Sequence, residues 1–220
     1  MTAPAHIVVA IDGPAASGKS SVARQLARRL RFLYVNTGAM YRAVTWHAVE
    51  NGVDTKDPEA VIALLAQARV ECGLEGMEST ITINGIDPTP HLLIEPVNAN
   101  VSNMAAIPEV RRQLVDLQRG YADGHDLVME GRDIGSAVFP ETPYKFYIDA
   151  SPEVRARRRE RQGLADAIGA RDKQDSSRRA SPLIIAEDAH VIDSSNLTVD
   201  GVVGEVVGRL KLKGLDLGEI

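Results

Sequence analysis

Several residue types are scarce in this sequence, and each shortage narrows the class of protein. One cysteine, Cys72, occurs in 220 residues, so the chain cannot form an internal disulfide. Aromatic residues make up 4% of the chain, and its apolar runs fall far short of the roughly 20 residues that cross a bilayer. We therefore expect no membrane span, and the cytoplasm, a reducing compartment, is the simplest setting.

Positive charge is also in short supply. Lysine and arginine total 25 against 30 acidic residues, which gives a formal net charge of -5. Such a balance attracts neither nucleic acid nor an anionic membrane, so we expect neither as a partner. The apolar run 7–11 stops at Asp12 and comes after no cationic stretch, so we expect no export. With 44% hydrophobic residues the chain has the composition of a folded globular protein.

Lysine is the scarcer of the two basic residues, with 6 copies against 19 of arginine. The planar guanidinium group matches phosphate and carboxylate in a two-pronged geometry, so arginines that converge in a cleft suit phosphate ligands. The alternatives are a compositional bias and, for any lone arginine, an exposed ion pair. The positions of the arginines must decide between them.

Hydrophobic patterns predict strands that alternate with helices. Strands are expected at 7–11, 32–35, 127–129, 144–148 and 190–192. Helices are expected at 20–30, 39–49, 58–68, 97–120 with a break at Pro108, from 152 onward, and at 199–210. This alternation is typical of an α/β protein with a parallel sheet.

The stretch 70–95 departs from that pattern. Alternating residues at 80–83 are followed by Asn84 and Gly85, a pair that favours a tight hairpin turn. Prolines at 88, 90 and 96 interrupt the chain beyond this turn. The sequence therefore predicts a small antiparallel insertion in the α/β frame.

A glycine-rich motif lies between the first predicted strand and the first predicted helix. Residues 13–20, GPAASGKS, fit G-x-x-x-x-G-K-[ST], whose backbone N–H groups cradle phosphates. Lys19 would reach the β- and γ-phosphates, and the Ser20 hydroxyl would ligate Mg²⁺. The alternative is a glycine-rich turn with a purely structural role. The predicted strand before the motif and the predicted helix after it disfavour this alternative. The predicted ATP-binding residues here are Gly13, Pro14, Ala15, Ala16, Ser17, Gly18, Lys19 and Ser20.

A phosphate loop alone leaves GTPase, ATPase and small-molecule kinase open. The N-K-x-D string of Ras-like GTPases does not occur. Polar motifs instead come after two further predicted strands, NTGAMYR at 36–42 and EGRDIG at 130–135. Ligands of open α/β sheets bind at the carboxyl ends of strands, so both motifs are expected at one site.

Taken together, these motifs resemble those of the bacterial cytidylate kinases, within the nucleoside monophosphate kinase family. The matching strings are the phosphate loop, TGAMYR at 37–42, EGRDIG at 130–135 with VFP after it, RDxxDSxR at 171–178, SPL at 181–183 and ID at 192–193. The resemblance spans essentially the whole chain. It implies a P-loop NTPase three-layer α/β fold with a central parallel sheet of about five strands.

The resemblance also implies a division of one kinase domain, 1–220. The core would comprise 1–66, 106–154 and 180–220, with a nucleotide-binding insertion at about 67–105 and a short helical lid at about 155–179. Two departures from many relatives are Asn36, where they carry aspartate, and a shorter lid between 161 and 171. We expect a monomer that acts in pyrimidine nucleotide metabolism.

The activity implied is ATP-dependent phosphorylation of CMP and dCMP, with Mg²⁺ arriving with ATP. The resemblance assigns the CMP phosphate to Thr37, Arg42 and Arg132, and the cytosine to Ser102, Arg111 and Asp133. It assigns sugar, phosphate or base-edge contacts to Arg171, Asp175 and Arg178. The implied catalytic residues are Lys19, Arg132, Arg171 and Arg178. The resemblance also assigns ATP contacts to Ser21 and Arg157.

Cytosine suits such residues chemically, since O2 and N3 accept hydrogen bonds and N4 donates them. Uracil reverses the polarity at N3 and O4, so a site built for cytosine would leave buried groups unpaired with UMP. The alternatives are a nucleoside monophosphate kinase of other base specificity, such as UMP, and a non-catalytic nucleotide-binding module.

Overall fold

The structure, a computed structural model, describes residues 6–161, 168–178 and 181–217. The side chains of Ile168, Ala170 and Arg171 lie outside this description. The predicted lid at about 155–179 therefore falls partly outside the described residues, and so does the predicted sugar, phosphate or base-edge contact of Arg171.

The described strands and helices alternate along most of the chain. The strands are β1 (Val8–Asp12), β2 (Leu33–Asn36), β3 (Val70–Glu75), β4 (Glu78–Ile83), β5 (Leu127–Gly131), β6 (Tyr144–Asp149) and β7 (His190–Asp193). The helices are α1 (Lys19–Leu30), α2 (Thr37–Glu50), α3 (Pro58–Ala66), α4 (Glu95–Met104), α5 (Pro108–Gly120), α6 (Pro152–Arg161), α7 (Ile168–Ser176) and α8 (Val199–Leu212).

Local sequence signals explain several helix boundaries. Asp57 caps α3 by accepting hydrogen bonds from the N–H groups of Glu59 and Ala60, both at 3.1 Å. Pro108 ends the helical pattern before it and occupies the first position of α5, where its missing N–H has no consequence. The break expected at Pro108 is therefore confirmed as a boundary between two helices.

In the described residues the strands form one sheet in the order β3-β4-β2-β5-β1-β6-β7. The five strands β2, β5, β1, β6 and β7 are parallel to their neighbours, which confirms the predicted central sheet. β4 joins the outer side of β2 in parallel, with Tyr34 opposite Glu78, and β3 pairs with β4 in the antiparallel sense. The insertion thus widens the central sheet.

The turn between the insertion strands differs from the one expected at Asn84 and Gly85. The chain reverses between Glu75 and Glu78, with Gly76 at φ 59°. Asn84 and Gly85 do form a tight turn, at φ 54° and 76°, but it comes after β4 and pairs Ile83 with Ile86 alone. Asp87 and Pro88 come next, and proline cannot donate to a strand ladder, so no further strand forms there.

Two apolar cores cover the two faces of the sheet and give three layers. Val9 and Ile11 of β1 pack into one core with α1 and α8, while Val8 and Ala10 pack into the other with α2, α4 and α5. The alternation results from the two-residue period of a strand. None of the described helices has the length and apolar character needed to cross a membrane.

This topology places the functional motifs together. β1, β2 and β5 are adjacent and parallel, so Asp12, Asn36 and Gly131 end them at one edge of the sheet. The phosphate loop, the 37–42 motif and the 130–135 motif all leave the sheet at that edge. A ligand site is expected at this edge of an open α/β sheet.

Candidate active site

The loop 13–18 between β1 and α1 requires glycine at its two ends. Gly13 has φ 152°, and a Cβ atom there would lie 2.1 Å from the carbonyl oxygen of Ile148 on β6. Gly18 precedes α1 with φ 93°, a left-handed conformation that other residues rarely adopt. The loop therefore packs directly against the sheet before it enters the helix.

Arginines of α6 tie this loop to the rest of the site. Arg158 donates from Nη1 to the carbonyl oxygen of Ser17 at 3.1 Å, and the hydroxyl of Ser194 donates to the same oxygen at 2.7 Å. Arg155 donates to the carbonyl oxygen of Ala15 at 3.3 Å and forms an ion pair with Asp172 of α7. The loop is thus anchored to α6 and to the segment after β7.

A cavity of about 700 Å³ joins the loop to the other strand-end motifs. Most of the sequence-predicted site residues line it, namely Ala15, Ala16, Gly18, Lys19, Ser20, Ser21, Thr37, Arg42, Ser102, Arg111, Arg132, Asp133, Asp175 and Arg178. The remaining loop residues Gly13, Pro14 and Ser17 are buried. The structure therefore brings the two predicted nucleotide sites into one continuous space.

Arg157 is placed differently from the other predicted residues. It is exposed on α6, whereas Arg159 is 6% exposed and lines the cavity. Arg155, Arg158 and Arg159 are related by three and four positions, the spacing of one helix face. That spacing along the arginine-rich run is the sequence signal that identifies Arg158 and Arg159.

The cavity has further lining residues that the sequence motifs did not assign. They are Asn36, Gly38, Tyr41, Leu93, Val101, Ala105, Glu130 and Gly131, besides Arg159. Five of them belong to the motifs already singled out at 36–42 and 130–135, namely Asn36, Gly38, Tyr41, Glu130 and Gly131. Leu93, Val101 and Ala105 are apolar residues in or beside α4, and no motif identified them.

Lys19 is buried at the start of α1, with its Nζ atom 3.0 Å from the carbonyl oxygen of Pro14. An ammonium group in this position lies within the curve of the phosphate loop. Ser20 comes next, is exposed, and lines the cavity. This arrangement can bind a polyphosphate through the loop and its lysine.

Asp12 lies beneath the cavity, at the end of β1. Its Oδ1 accepts a hydrogen bond from the N–H of Ile134 and its Oδ2 accepts one from Gly135, both at 2.8 Å. Burial raises the pKa of this carboxyl to about 7, and the two backbone hydrogen bonds oppose that rise. Asp12 thus connects the strand before the phosphate loop with the loop after β5.

Thr37 lies against the end of β5 because β2 and β5 are neighbours, with Asn36 opposite Glu130. The Thr37 hydroxyl donates to the carbonyl oxygen of Glu130 at 2.7 Å. A Cβ atom at Gly131 would lie 2.7 Å from that hydroxyl oxygen, so only glycine allows this approach. Polar groups therefore line the cavity between the ends of β2 and β5.

Arg42 projects from α2, five residues after Thr37. Its Nε donates to Oδ1 of Asn98 at 3.4 Å, and the Asn98 side-chain amide in turn donates to the carbonyl oxygen of Leu93 at 2.6 Å. Asn98 is buried on α4. The helix after the insertion strands therefore orients the guanidinium group of Arg42.

Asp175 of α7 is a shared acceptor for three parts of the site. It accepts from the Ser102 hydroxyl at 3.1 Å and from Nε of Arg132 at 3.0 Å, and it forms an ion pair with Arg178. Its side chain is 2% exposed. The predicted lid residues thus contact both α4 and the loop after β5.

Arg111 of α5 forms a buried ion pair with Asp133, and both side chains are about 5–6% exposed. Burial raises the pKa of Asp133, and the positive charges of Arg111 and Arg178 oppose this shift. The guanidinium carbon of Arg111 also lies 5.7 Å from the centre of the Tyr41 ring. A donor fork and an acceptor therefore stand side by side at this end of the cavity.

The cavity offers oxygen atoms that could ligate a metal ion. Ser20, Asn36 and Glu130 are among the residues that line it. In the part of the chain that the structure describes, no three His, Cys, Asp or Glu side chains come close enough to hold a metal ion by themselves. This donor set fits Mg²⁺, which prefers oxygen and retains several waters and phosphate ligands.

Comparisons with known proteins agree with this geometry. The sequence profile of the family described as cytidylate kinase matches residues 9–212. A protein named cytidylate kinase from Streptomyces avermitilis is 41% identical over 221 residues, covering 96% of this chain and 95% of that protein. One of the same name from Corynebacterium efficiens is 43% identical, covering 91% and 93%.

A solved structure extends the comparison to the fold. The crystal structure of an uncharacterized protein from Eubacterium ventriosum matches with a TM-score of 0.50 at 13% identity, covering 94% of this chain and 99% of that one. At this identity the likeness concerns the fold alone. It agrees with the layered α/β architecture of this chain.

Proposed function

The chain belongs to the cytidylate kinase family, and we infer that it transfers the terminal phosphate of ATP to CMP and dCMP in the 700 Å³ cavity. The observation that carries this proposal is the shared cavity itself. One space is lined both by the phosphate loop with Lys19 and by Arg42 and Arg132 across from it. Two anionic nucleotides can therefore approach each other with their phosphates in contact.

The donor nucleotide is assigned to the loop 13–20. Its backbone N–H groups and the Lys19 ammonium bind the ATP phosphates. Ser20, with phosphate oxygens and water, would hold Mg²⁺, which when bound offsets the negative charge of the polyphosphate. Arg158 and Ser194 support the loop from outside through the carbonyl oxygen of Ser17.

The acceptor phosphate is assigned to Thr37, Arg42 and Arg132. All three line the cavity that the start of α1 also lines. Guanidinium groups bind phosphate with charge-assisted hydrogen bonds in a fixed geometry. In this assignment an oxygen of the CMP phosphate faces the terminal phosphorus of ATP.

The base is assigned to the end of the cavity that holds Ser102, Arg111 and Asp133. Arg111 can donate to O2 and N3 of cytosine, and Asp133 can accept from its N4 amino group. When cytosine is bound, Arg111 and Asp133 would each hydrogen-bond the base as well as each other. Asp175 and Arg178 close the pocket from α7, and Arg171 stays a predicted contact of this segment.

The transfer needs positioning more than proton chemistry. An oxygen of the CMP phosphate forms a bond to the γ-phosphorus of ATP while the bond to the β–γ bridging oxygen breaks, and ADP leaves. The attacking oxygen is already ionised, so no general base is required. Arg132 and the buried Arg159 stabilise charge on the transferred group, and α6 and α7 restrict the access of water.

A substrate panel tests the proposal. ADP release is measured with CMP, dCMP, UMP and AMP at equal concentration, and CMP and dCMP are expected to give the highest kcat/KM. Arg132→Ala should lower kcat/KM for CMP by about 100-fold or more. Arg112→Ala, an exposed arginine on α5, is the matched control and should change little.

Each alternative predicts a different result from the same panel. A kcat/KM for UMP equal to or above that for CMP would assign the chain another base specificity. ATP binding without CDP formation at saturating CMP would indicate a non-catalytic module. The expectations of a cytoplasmic monomer in pyrimidine nucleotide metabolism stay predictions.

A further inference from the structure

Asp12 is held rigidly by the two strands beside it. Its backbone lies opposite Gly131 of β5 on one side and opposite Tyr147 of β6 on the other. The next residue, Gly13, starts the phosphate loop. The main chain of Asp12 therefore keeps its place through the sheet, independently of what its side chain does.

The side chain of Asp12 contacts the loop that carries Arg132 and Asp133. Both carboxylate oxygens accept hydrogen bonds from consecutive backbone N–H groups, those of Ile134 and Gly135. These residues begin a turn of π-helix at Ile134–Val138, for which Asp133 itself supplies no side-chain cap. Asp12 thus supplies from the neighbouring strand the acceptors that the turn needs.

The loop is seated closely on this carboxylate. A Cβ atom at Gly135 would lie 3.4 Å from Oδ2 of Asp12 and 3.1 Å from Cγ and Cδ of Lys145. A methyl group at position 135 would therefore be in ordinary contact with Asp12 but would press on the side chain of Lys145. Any displacement of Gly135 is passed on to Arg132 and Asp133, which precede it by three and two residues.

We propose that Asp12 is a positioning residue for the acceptor nucleotide, which uses its carboxylate to hold the 132–135 loop in register with the phosphate loop. This inference rests on the proposed function, since it assigns Arg132 to the CMP phosphate and Asp133 to the base. Asp12 touches neither nucleotide. It sets the distance between the phosphate loop, which binds ATP, and the residues Arg132 and Asp133, which bind CMP.

The arrangement requires a carboxylate, because both oxygens accept. An asparagine of the same shape would turn its NH₂ group toward one of the two backbone N–H groups, where two donors oppose each other. Asp12→Asn therefore removes one hydrogen bond and pushes the loop away. The strand pairing of residue 12 is left intact.

Charged and titratable groups from every side face this carboxylate. Lys19 at the start of α1 favours its ionised form, and Asp133 from the loop after β5 opposes it. Tyr147 on β6 interacts with it, and Lys145 lies beside Gly135. Because burial brings the pKa to about 7, the ionised form is lost as the pH falls below that value.

The experiment measures the Kd of CMP and of ATP separately for wild type and Asp12→Asn, by calorimetry. CMP binding should weaken about tenfold or more, as expected when a buried group loses its partner. ATP binding should change less than about threefold, because the phosphate loop starts from an unaltered strand. The Kd of CMP for Asp12→Asn divided by the Kd of CMP for wild type should fall from about pH 8 to about pH 6. The reason is that the Asp12 carboxylate of wild type becomes protonated over this range.

Asp57→Asn is the matched control. Asp57 also accepts from two backbone N–H groups, but it caps α3 away from the cavity, and its replacement should leave both Kd values unchanged. Gly135→Ala adds a methyl group that presses on the buried side chain of Lys145 and so displaces the turn that Asp12 holds. It should also weaken CMP binding more than ATP binding, which decides the question if Asp12→Asn does not fold.

Three results would overturn the inference. They are unchanged CMP binding in Asp12→Asn, equal weakening of CMP and ATP, and a pH-independent ratio of the CMP constants. A failure of the proposed function looks different, because wild type itself would then form no CDP from CMP.

Discussion

The Nε atom of Arg132 lies 3.0 Å from Oδ2 of Asp175, so the loop after β5 is bonded to α7 although 43 residues separate the two. Arg178 and Ser102 share the same carboxylate. One acidic side chain therefore pairs with two guanidinium groups of the site, and its loss has consequences for both stability and activity.

Asp175→Ala is expected to destabilise the fold. It leaves Arg178, whose side chain is 6% exposed, without its carboxylate, and removing one partner of a buried pair costs about 3–5 kcal/mol. Urea denaturation measures the change in the free energy of unfolding. Glu71→Ala, which removes an exposed partner of Arg69, should cost less than about 1 kcal/mol. Equal effects of the two substitutions would contradict the role of Asp175.

Arg158→Ala should raise the KM for ATP about tenfold, because it removes a charge-assisted hydrogen bond to the phosphate loop. The KM for CMP should change much less. The family resemblance assigned ATP contact to Arg157 instead, which is exposed on the same helix. Steady-state kinetics of Arg157→Ala and Arg158→Ala decide between the two, since a larger rise in the KM for ATP with Arg157→Ala would favour the sequence-based assignment.

Asp133→Asn should reduce the preference for CMP over UMP. The amide can donate to O4 of uracil, whereas the carboxylate can only accept, so the ratio of the two kcat/KM values should fall about tenfold. Competition assays with both substrates measure this ratio directly. Asp116→Asn, an exposed substitution on α5, is the control. An unchanged ratio with Asp133→Asn would place the base elsewhere in the cavity.

The raised pKa of Asp12 predicts a specific pH dependence of stability. Its carboxyl has a pKa of about 7 in the folded protein against an ordinary value of 3.8, so between these values the folded state binds the extra proton. The contribution of Asp12 to the free energy of unfolding therefore falls as the pH rises from about 4 to about 7, and it stays constant above about pH 7. The free energy of unfolding of wild type minus that of Asp12→Asn should show this course in urea titrations, and a flat difference would contradict it.

Local signals explain why most of the fold was predictable from sequence. The continuous apolar run of β1, the proline and aspartate at the start of α3, and the glycines around Lys19 each determine structure within a few residues. Parallel strands then bring their carboxyl ends to one edge, which placed the phosphate loop and the two polar motifs at a common site.

The features that escaped prediction depend on contacts between distant residues. The pairing of β4 with β2 joins Tyr34 to Glu78, and the hydrogen bond from Ile134 to Asp12 spans 122 positions. No pattern within one segment encodes such contacts. Arg157 and Arg159 differ in burial for a simpler reason, since the helix turns them toward different sides.

The charged residues of the pocket form a site only if Gly131 lets the strand ends that carry them lie close together. Because a methyl group there would collide with the Thr37 hydroxyl and with the side chain of Ile134, a homologous chain with alanine at this position would have its two strand-end loops wedged apart. Position 131 therefore limits how closely the 36–42 and 130–135 motifs approach each other, whichever charged side chains they carry.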